Sequence, residues 1–298
     1  MVLEHQEKKK DWSYVNLWYL LIPLIFLLIM FVAPLLYMAY MSLFEFNGVG
    51  KPMGNFTLEY YATFFTNPSY WVIMARTLLL GAASTVVCVI LGYPLAYKIA
   101  RMNGRWRSVL IAMVVLPLWV SMTIRMFGWM AILSSNGALS NFIQFLFPNT
   151  QFKLLGTYTA IMVGLVHCGL PYFVMIMIGP IENVDPHYEE ASYVFGAGFM
   201  KTFFKVTLPL TIKGVMSGAI LVFSLNTAAF LVPMMLGSGK IIVMTNAIYQ
   251  QATYLYNWSF AAALSVIFMV CALMITNLSR AIERGDSRLK GERKHAGL

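Results

Sequence analysis

The side chains of this chain that could best bind a partner lie in one polar stretch, residues 185–209, within an otherwise apolar sequence. Asp185 followed by Pro186 predicts a helix N-cap with proline at the first helical position. Glu189 and Glu190 follow near the end of the helix dipole that favours negative charge. A short capped helix of this kind predicts a polar surface that binds something outside the bilayer.

A turn and a second short helix are predicted next. Gly196 interrupts the first helix, and helical spacing then predicts one apolar face made of Phe199, Phe203 and Val206. Pro209 is predicted to end this unit and to open the next hydrophobic run. The stretch therefore predicts two short helices joined by a turn and set between two membrane spans.

Seven residues of the stretch follow a recognisable spacing: Glu190, Ala191, Ser192, Gly196, Val206, Leu208 and Pro209. This pattern resembles the EAA loop of ABC importer permeases, which is Glu-Ala-Ala, three residues, Gly, nine residues, Ile, one residue and Leu-Pro. Serine in place of the second alanine and valine in place of isoleucine are mild departures. The alternative interpretation is an ordinary amphipathic connector between membrane helices.

The resemblance implies a type I permease fold in which loop 181–207 docks in a groove on a cytoplasmic ATPase. Closure of the ATPase dimer would then move the membrane helices between inward-open and outward-open states. Glu190 is expected to pair within the interface, and Gly196 to allow the tight turn and a close approach. The residues expected to couple the subunits are Glu189, Glu190, Ala191, Ser192, Gly196, Phe199, Phe203, Val206, Leu208 and Pro209.

The resemblance also implies an assembly with two copies of the ATPase, a second and homologous permease chain, and a periplasmic or surface-tethered solute-binding protein. ATP and magnesium are expected on the ATPase, with no cofactor in this chain and no catalysis by it. The sequence contains no Gly-x-x-x-x-Gly-Lys-Ser/Thr phosphate loop. The cysteines have neither paired nor metal-like spacing, which predicts neither a disulfide nor a metal site: Cys88, Cys168 and Cys271.

The composition predicts an all-α integral membrane protein. Of the 298 residues, 59% are hydrophobic and 11% are charged, less than half of the charged share in soluble proteins. Six apolar runs are long enough to cross a bilayer as helices: about 17–43, 70–98, 108–133, 155–180, 208–236 and 258–280. The predicted organisation is an N-terminal segment 1–16, a permease domain 17–280 and a tail 281–298.

Lysine and arginine predict the orientation. Of the 21 basic residues, 16 fall on the side that holds both termini and the polar stretch. The positive-inside rule places that side in the cytoplasm. The resemblance implies that the membrane is a bacterial inner membrane. Topology thus explains the net charge of +9, which leaves little support for nucleic-acid binding.

A second resemblance concerns the solute. Gly92-Tyr93-Pro94-Leu95-Ala96, and more loosely residues 90–140, resemble the spermidine/putrescine branch of the family. A polyamine is therefore the favoured substrate. Opines, phosphonates, ferric iron and other small solutes remain alternatives.

Polar residues within the spans are candidates for the translocation path, because polar groups at membrane depth face the bundle interior or a cavity. The candidates are Arg125, Trp129, His167, Ser224, Asn226 and Thr227. Arg125 could instead snorkel to the outer interface, and His167 could be a hydrogen-bonded packing residue.

All twelve acidic residues fall in predicted loops or tails. An ion-coupled carrier usually binds its ion through an intramembrane carboxylate, histidine or broken helix. This distribution weakens the rival hypothesis of a secondary transporter or channel component. A membrane scaffold that moves no solute is the third hypothesis.

Overall fold

The computed structural model describes residues 13–46, 52–147 and 153–295 of the chain. Most of the predicted N-terminal segment 1–16 lies outside these residues, as do the side chains of the predicted tail 281–298. The backbone of the last helix nevertheless runs from Trp258 to His295, through the boundary predicted at 280.

Long helices dominate the chain. Five helices contain stretches long and apolar enough to span a membrane: Leu21–Met41, Pro68–Ala100, Tyr158–Glu182, Phe199–Thr227 and Trp258–Ser279. A bent pair, Arg105–Trp119 with Met122–Leu146, makes a sixth candidate if its two arms belong to one span. The prediction of an all-α integral membrane fold is confirmed, with five or six candidate spans where six were predicted.

The spanning helices are connected by shorter elements. In chain order the elements are α1 (Ser13–Met41), β1 (Phe44–Phe46), β2 (Pro52–Phe56), α2 (Glu59–Thr66), α3 (Pro68–Ala100), α4 (Arg105–Trp119), α5 (Met122–Leu133), α6 (Ala138–Leu146), α7 (Tyr158–Glu182), α8 (Pro186–Val194), α9 (Phe199–Thr202), a π-helical turn (Phe203–Thr207), α10 (Leu208–Thr227), α11 (Leu231–Leu236), α12 (Met244–Thr253) and α13 (Trp258–His295). Strands β1 and β2 form an antiparallel hairpin.

The prediction of one continuous third span, 108–133, is wrong. Helix α4 ends at Trp119 and α5 begins at Met122, with a bend of 96° between the two arms of the pair. The backbone at Val120 (φ −85°, ψ 133°) and Ser121 (φ −49°, ψ 135°) is not helical. Pro117 precedes the bend and has no amide hydrogen to donate within the helix.

The fifth span also differs from the predicted 208–236. At its start the helix is continuous from Phe199 through the π-helical turn, so Pro209 does not end the preceding unit. At its end α10 stops at Thr227, and three residues separate it from α11. Backbone carbonyl groups at this break accept hydrogen bonds from side chains of α12. Thr245 Oγ1 donates to Ala229 O at 3.0 Å, and Asn246 Nδ2 donates to Phe230 O at 3.4 Å.

The main core lies where α3, α7 and α10 pack together. Small residues allow the close approach that membrane helices need. A Cβ atom at Gly92 of α3 would lie 2.6 Å from the Phe173 ring of α7, and one at Gly214 of α10 would lie 2.6 Å from Pro180. Phe173 is fully buried. These three helices therefore form the rigid body to which the polar stretch is attached.

Candidate functional site

The polar stretch folds as predicted into a capped helix, a turn and a second helix. Asp185 Oδ1 accepts a hydrogen bond from the backbone N–H of His187 at 3.0 Å, and Pro186 occupies the first turn of α8. Gly196 has a φ of +79°, a left-handed conformation that favours glycine. No other part of the described chain lies within 4 Å of a Cβ built there, so the predicted close approach is not made within this chain.

Glu189 lies at the centre of the unit and is buried, with 6% of its surface exposed. Its Oε2 accepts a hydrogen bond from the Tyr97 hydroxyl at 2.7 Å. Its Oε1 accepts from Arg101 Nη2 and from Thr207 Oγ1, each at 2.9 Å. Arg101 Nη1 also donates to Val184 O at 2.9 Å. One carboxylate thus joins the end of α3 and the π-helical turn to α8.

These contacts keep the carboxylate ionised. Burial by itself raises the pKa of Glu189. The hydrogen bonds from Tyr97, Arg101 and Thr207 and the positive charge of Arg101 together lower it by more than burial raises it, so the pKa falls below the ordinary glutamate value. The sequence predicts Glu189 to lie in the coupling loop but does not predict its three hydrogen-bond donors. Arg101 is predicted only to be one of the basic residues on the cytoplasmic side.

Glu190, the glutamate of the motif, is in a different environment. Its side chain is 64% exposed, and its Oε2 lies 2.9 Å from Nδ1 of His187, which is also exposed. The hydrogen bond from Glu190 and the negative charges of Asp185 and Glu190 raise the pKa of His187. The structure therefore leaves Glu190 accessible to a partner.

Several large apolar side chains of this unit are exposed as well. We call this set the apolar surface: Tyr188, Val194, Phe195, Phe199, Met200 and Phe204, each 53–89% exposed. Phe203, predicted to be part of such a surface, instead packs edge-on against Tyr93 with ring centroids 5.1 Å apart. Val206 and Leu208 are half-buried. Phe203 therefore belongs to the contact between the unit and the helical core.

The small residues and the proline of the motif have mixed roles. Ser192 Oγ lies 2.9 Å from Thr202 Oγ1, a contact that ties α8 to α9. Ala191 and Pro209 are exposed. The structure thus brings the predicted coupling residues together in one unit, with some facing inward and others outward.

Candidates for the translocation path are less uniform. Arg125 and Asn226 line a cavity of about 420 Å³ at the two helix breaks, together with Cys168, Tyr172 and Phe230. Asn226 Nδ2 also donates to Ser84 Oγ at 2.9 Å. Non-helical backbone at membrane depth is tolerated where it lines a cavity or is buried in protein. This cavity is therefore the structure's candidate for solute contact.

The other path candidates do not line that cavity. Trp129 and His167 pack edge-on, with ring centroids 5.6 Å apart. Ser224 is exposed and donates to Ile220 O at 2.8 Å, while Thr227 is buried against Gly81. The candidates on α10 therefore differ in burial, with Ser224 exposed and Thr227 buried.

Within the described residues no group of three or more His, Cys, Asp or Glu side chains could hold a metal ion. The three cysteines are free: Cys88, Cys168 and Cys271.

Comparison with known proteins identifies the family. The model of the family described as "Binding-protein-dependent transport system inner membrane component" matches residues 14–285. The spermidine/putrescine transport system permease protein PotB of Escherichia coli K12 is 32% identical over 228 residues, which cover 76% of this chain and 82% of that protein. PotB of Haemophilus influenzae is 31% identical over 227 residues, covering 76% and 79% of the two chains.

Solved structures agree on the fold. A bacterial ABC transporter that imports the acidic polysaccharide alginate matches with a TM-score of 0.76 at 17% identity, covering 90% of this chain and 95% of that chain. The MetNI methionine ABC transporter matches with a TM-score of 0.55 at 19% identity, covering 74% and 98%. From the matched residues, the relatives and the fold, we conclude that this chain belongs to the family of inner-membrane components of binding-protein-dependent transport systems and is a non-catalytic, multi-pass permease subunit of an ABC importer with the type I fold.

Proposed function

We propose that this chain forms part of the translocation path for a small organic cation and couples to a separate ATPase through loop 181–207. The observation that carries the coupling proposal is the apolar surface. Helix Phe199–Thr227 has 29 residues and is therefore about 43 Å long, longer than the roughly 30 Å hydrocarbon core of a bilayer. Since Leu208–Thr227 suffices for the crossing, the residues before Leu208 extend beyond it.

Apolar side chains held outside the hydrocarbon region favour a protein partner. Tyr188 lies on α8 and Phe195 is its C-cap, while Met200 lies on α9 and Phe204 on the π-helical turn that follows. Large exposed apolar patches rimmed by polar residues typically mark protein interfaces. Exposed Glu190 and Lys201 supply such a rim. This combination suits insertion of α8 and α9 into a groove of an ATPase.

The remaining assembly is proposed from the family and the charge distribution. Both termini, the loop and the tail after 280 lie in the cytoplasm, where 16 of 21 basic residues fall. The complex would contain two ATPase copies that bind ATP and magnesium, a second permease chain and an external solute-binding protein. The solved alginate importer, described in complex with an alginate pentasaccharide-bound periplasmic protein, is a precedent for the last of these.

A polyamine such as putrescine or spermidine is the proposed substrate. The support is the identity of 31–32% to PotB proteins of spermidine/putrescine transport systems. The lining of the 420 Å³ cavity contains no carboxylate, so the ammonium groups would meet aromatic faces at Tyr172 and Phe230 and the side-chain oxygen of Asn226.

The test begins with purification of the native complex in mild detergent and identification of what remains bound. We expect an ATPase and a second permease. In liposomes that contain this complex and its binding protein, radiolabelled putrescine should be taken up only with ATP. Uptake driven by an ion gradient without ATP would instead support a carrier, and an absence of flux with every candidate solute would support a scaffold.

A matched pair of variants tests the docking surface. Phe195→Ser should abolish co-purification of the ATPase, whereas Phe145→Ser in α6, equally large and 83% exposed, should not. Equal retention of the ATPase by both variants would contradict the assignment of the apolar surface.

A further inference from the structure

Glu189 of α8 contacts the end of α3 and the π-helical turn that leads into α10. Further hydrogen bonds continue from this contact into the helical core. Tyr97, in the last turn of α3, and Arg101, the C-cap of that helix, are four residues apart and both donate to the carboxylate. Thr207 donates to the same carboxylate oxygen as Arg101 and belongs to the helix that becomes α10. Glu189 itself belongs to α8, which carries part of the apolar surface.

Hydrogen bonds extend from Thr207 along the contact between α3 and α10. Thr211 Oγ1 donates to Thr207 O at 2.9 Å, and its oxygen lies 2.6 Å from the Tyr93 hydroxyl. Tyr93, Thr207 and Thr211 are all buried. Tyr93 and Arg101 are eight residue steps apart, which corresponds to about 12 Å along the end of α3. The polar contacts therefore reach from the loop toward the centre of the core.

The π-helical turn lies at the junction. Phe203–Thr207 is the single π-helical segment among the described residues, and it contains both Phe203, packed on Tyr93, and Thr207, bonded to Glu189. Such turns interrupt the regular helical ladder and occur frequently at functional sites. A helix with a locally widened turn can change its direction at less cost than a regular helix. The junction thus combines firm side-chain contacts with a deformable backbone.

We propose that Glu189 is a positioning residue that transmits displacement of α8 to α3 and α10. This inference rests on the proposed coupling of the loop to an ATPase. A buried carboxylate that accepts three hydrogen bonds, one of them from a cation, cannot separate from its donors without leaving charges unpaired. When the ATPase moves α8, α3 and α10 must move with it. Glu190, although it is the motif residue, has no contact of this kind.

The experiment measures the ATP hydrolysed per putrescine imported by the whole complex in liposomes. Glu189→Gln keeps the shape of the side chain and removes its charge, and Glu59→Gln, at an exposed glutamate of α2 outside the loop, is the matched control. We expect Glu189→Gln to retain the bound ATPase but to raise the ratio by roughly fivefold or more, the lower end of coupling between sites. Glu59→Gln should keep the wild-type ratio.

Two milder variants cover the case in which Glu189→Gln fails to assemble. Tyr97→Phe and Thr207→Val each delete one donor and leave the pair with Arg101 in place. Each should raise the ratio by about twofold to threefold, because one hydrogen bond contributes about 0.5 kcal/mol or more. A melting temperature equal to that of the wild type would separate this effect from simple destabilisation.

The outcomes distinguish the two proposals. Absence of ATP-dependent uptake by the wild-type complex would overturn the proposed function, and the inference with it. A wild-type complex that works, with Glu189→Gln, Tyr97→Phe and Thr207→Val all at the wild-type ratio, would overturn the role of Glu189 alone. An equal rise for Glu59→Gln and Glu189→Gln would also contradict it, since the effect would then not require the buried contacts of the loop.

Discussion

Glu189 and Arg125 are interior charges in opposite states of hydrogen bonding. Both carboxylate oxygens of Glu189 accept bonds from within the chain. Arg125 has two buried nitrogens, Nε and Nη1, with no partner among the described residues, and it lines the 420 Å³ cavity. Buried polar groups are nearly always satisfied, and exceptions call for an explanation. The Glu189 carboxylate is therefore fully paired, although Nε of neighbouring Arg101 has no partner among the described residues, whereas Arg125 has two donors left for something else.

The environment of each charge follows from its elements. Around Glu189, Tyr97 lies in the last turn of the continuous helix α3 and Arg101 is its C-cap. Around Arg125 the neighbouring elements are interrupted, between α4 and α5 and between α10 and α11. A continuous helix fixes the positions of its side chains, and a break exposes backbone and creates space. Rigidity and accessibility are thus assigned to different parts of one membrane domain.

The largest expected effect is the cost of removing each charge. Glu189→Ala leaves Arg101 partly buried without its carboxylate, which should destabilise the protein by about 3–5 kcal/mol. Arg125→Ala removes an unsatisfied group and should not lower stability. Thermal unfolding in detergent measures both, and a larger loss for Arg125→Ala would invert the comparison.

The second prediction concerns the charge at the cavity. If a polyamine passes Arg125, two positive charges about 8 Å apart repel by about 2 kcal/mol at an effective dielectric constant near 20. Arg125→Gln should therefore increase ATP-independent leakage of putrescine from loaded liposomes by about tenfold or more. Arg125→Lys keeps the charge and should leak like the wild type, so equal leakage by the two variants would remove Arg125 from the path.

The third prediction concerns the turn that carries the apolar surface. Gly196→Ala places a side chain at a φ of +79° and should cost about 1 kcal/mol, weakening ATPase binding as the turn shifts. Gly198 also has open space around it but a φ of −75°, so Gly198→Ala is the control. The affinity of the ATPase for liposomes that contain each variant measures the difference. Equal affinities would mean that the turn geometry does not matter.

The smallest effect is on pH dependence. The pKa of Glu189 lies below its ordinary value of 4.5, so its stabilising contribution is present above that pH and is lost only as pH falls through the lowered pKa. The pKa of His187 is raised above 6.5, so its pairing with Glu190 is complete below that pH and is lost as pH rises through the raised pKa.

Between pH 6 and 9 we therefore expect a small change in ATPase affinity that depends on His187 and is absent in His187→Gln. The stability difference between wild type and Glu189→Gln should stay constant over the same range. A difference that varies with pH there would mean that Glu189, and not His187, titrates near neutrality.

Much of this protein was predictable because membrane solvation leaves few choices. A helix is the one open segment that satisfies its own backbone in lipid, so long apolar runs had to be helices. Local rules also placed the Asp185 cap, Pro186 in the first turn and the turn at Gly196, since each depends only on adjacent residues.

Tertiary structure alone decided the rest. Pro117 and Pro209 look alike in sequence, yet the first precedes a 96° bend and the second lies in a continuous helix, because neighbouring elements determine whether a break can be satisfied. The sequence likewise contains adjacent glutamates without distinguishing them. Only the packing of α8 against Tyr97, Arg101 and Thr207, which are 18–92 residues away along the chain, buries Glu189 and leaves Glu190 exposed. Burial of a charge depends on donors that converge from distant segments, which no local pattern records.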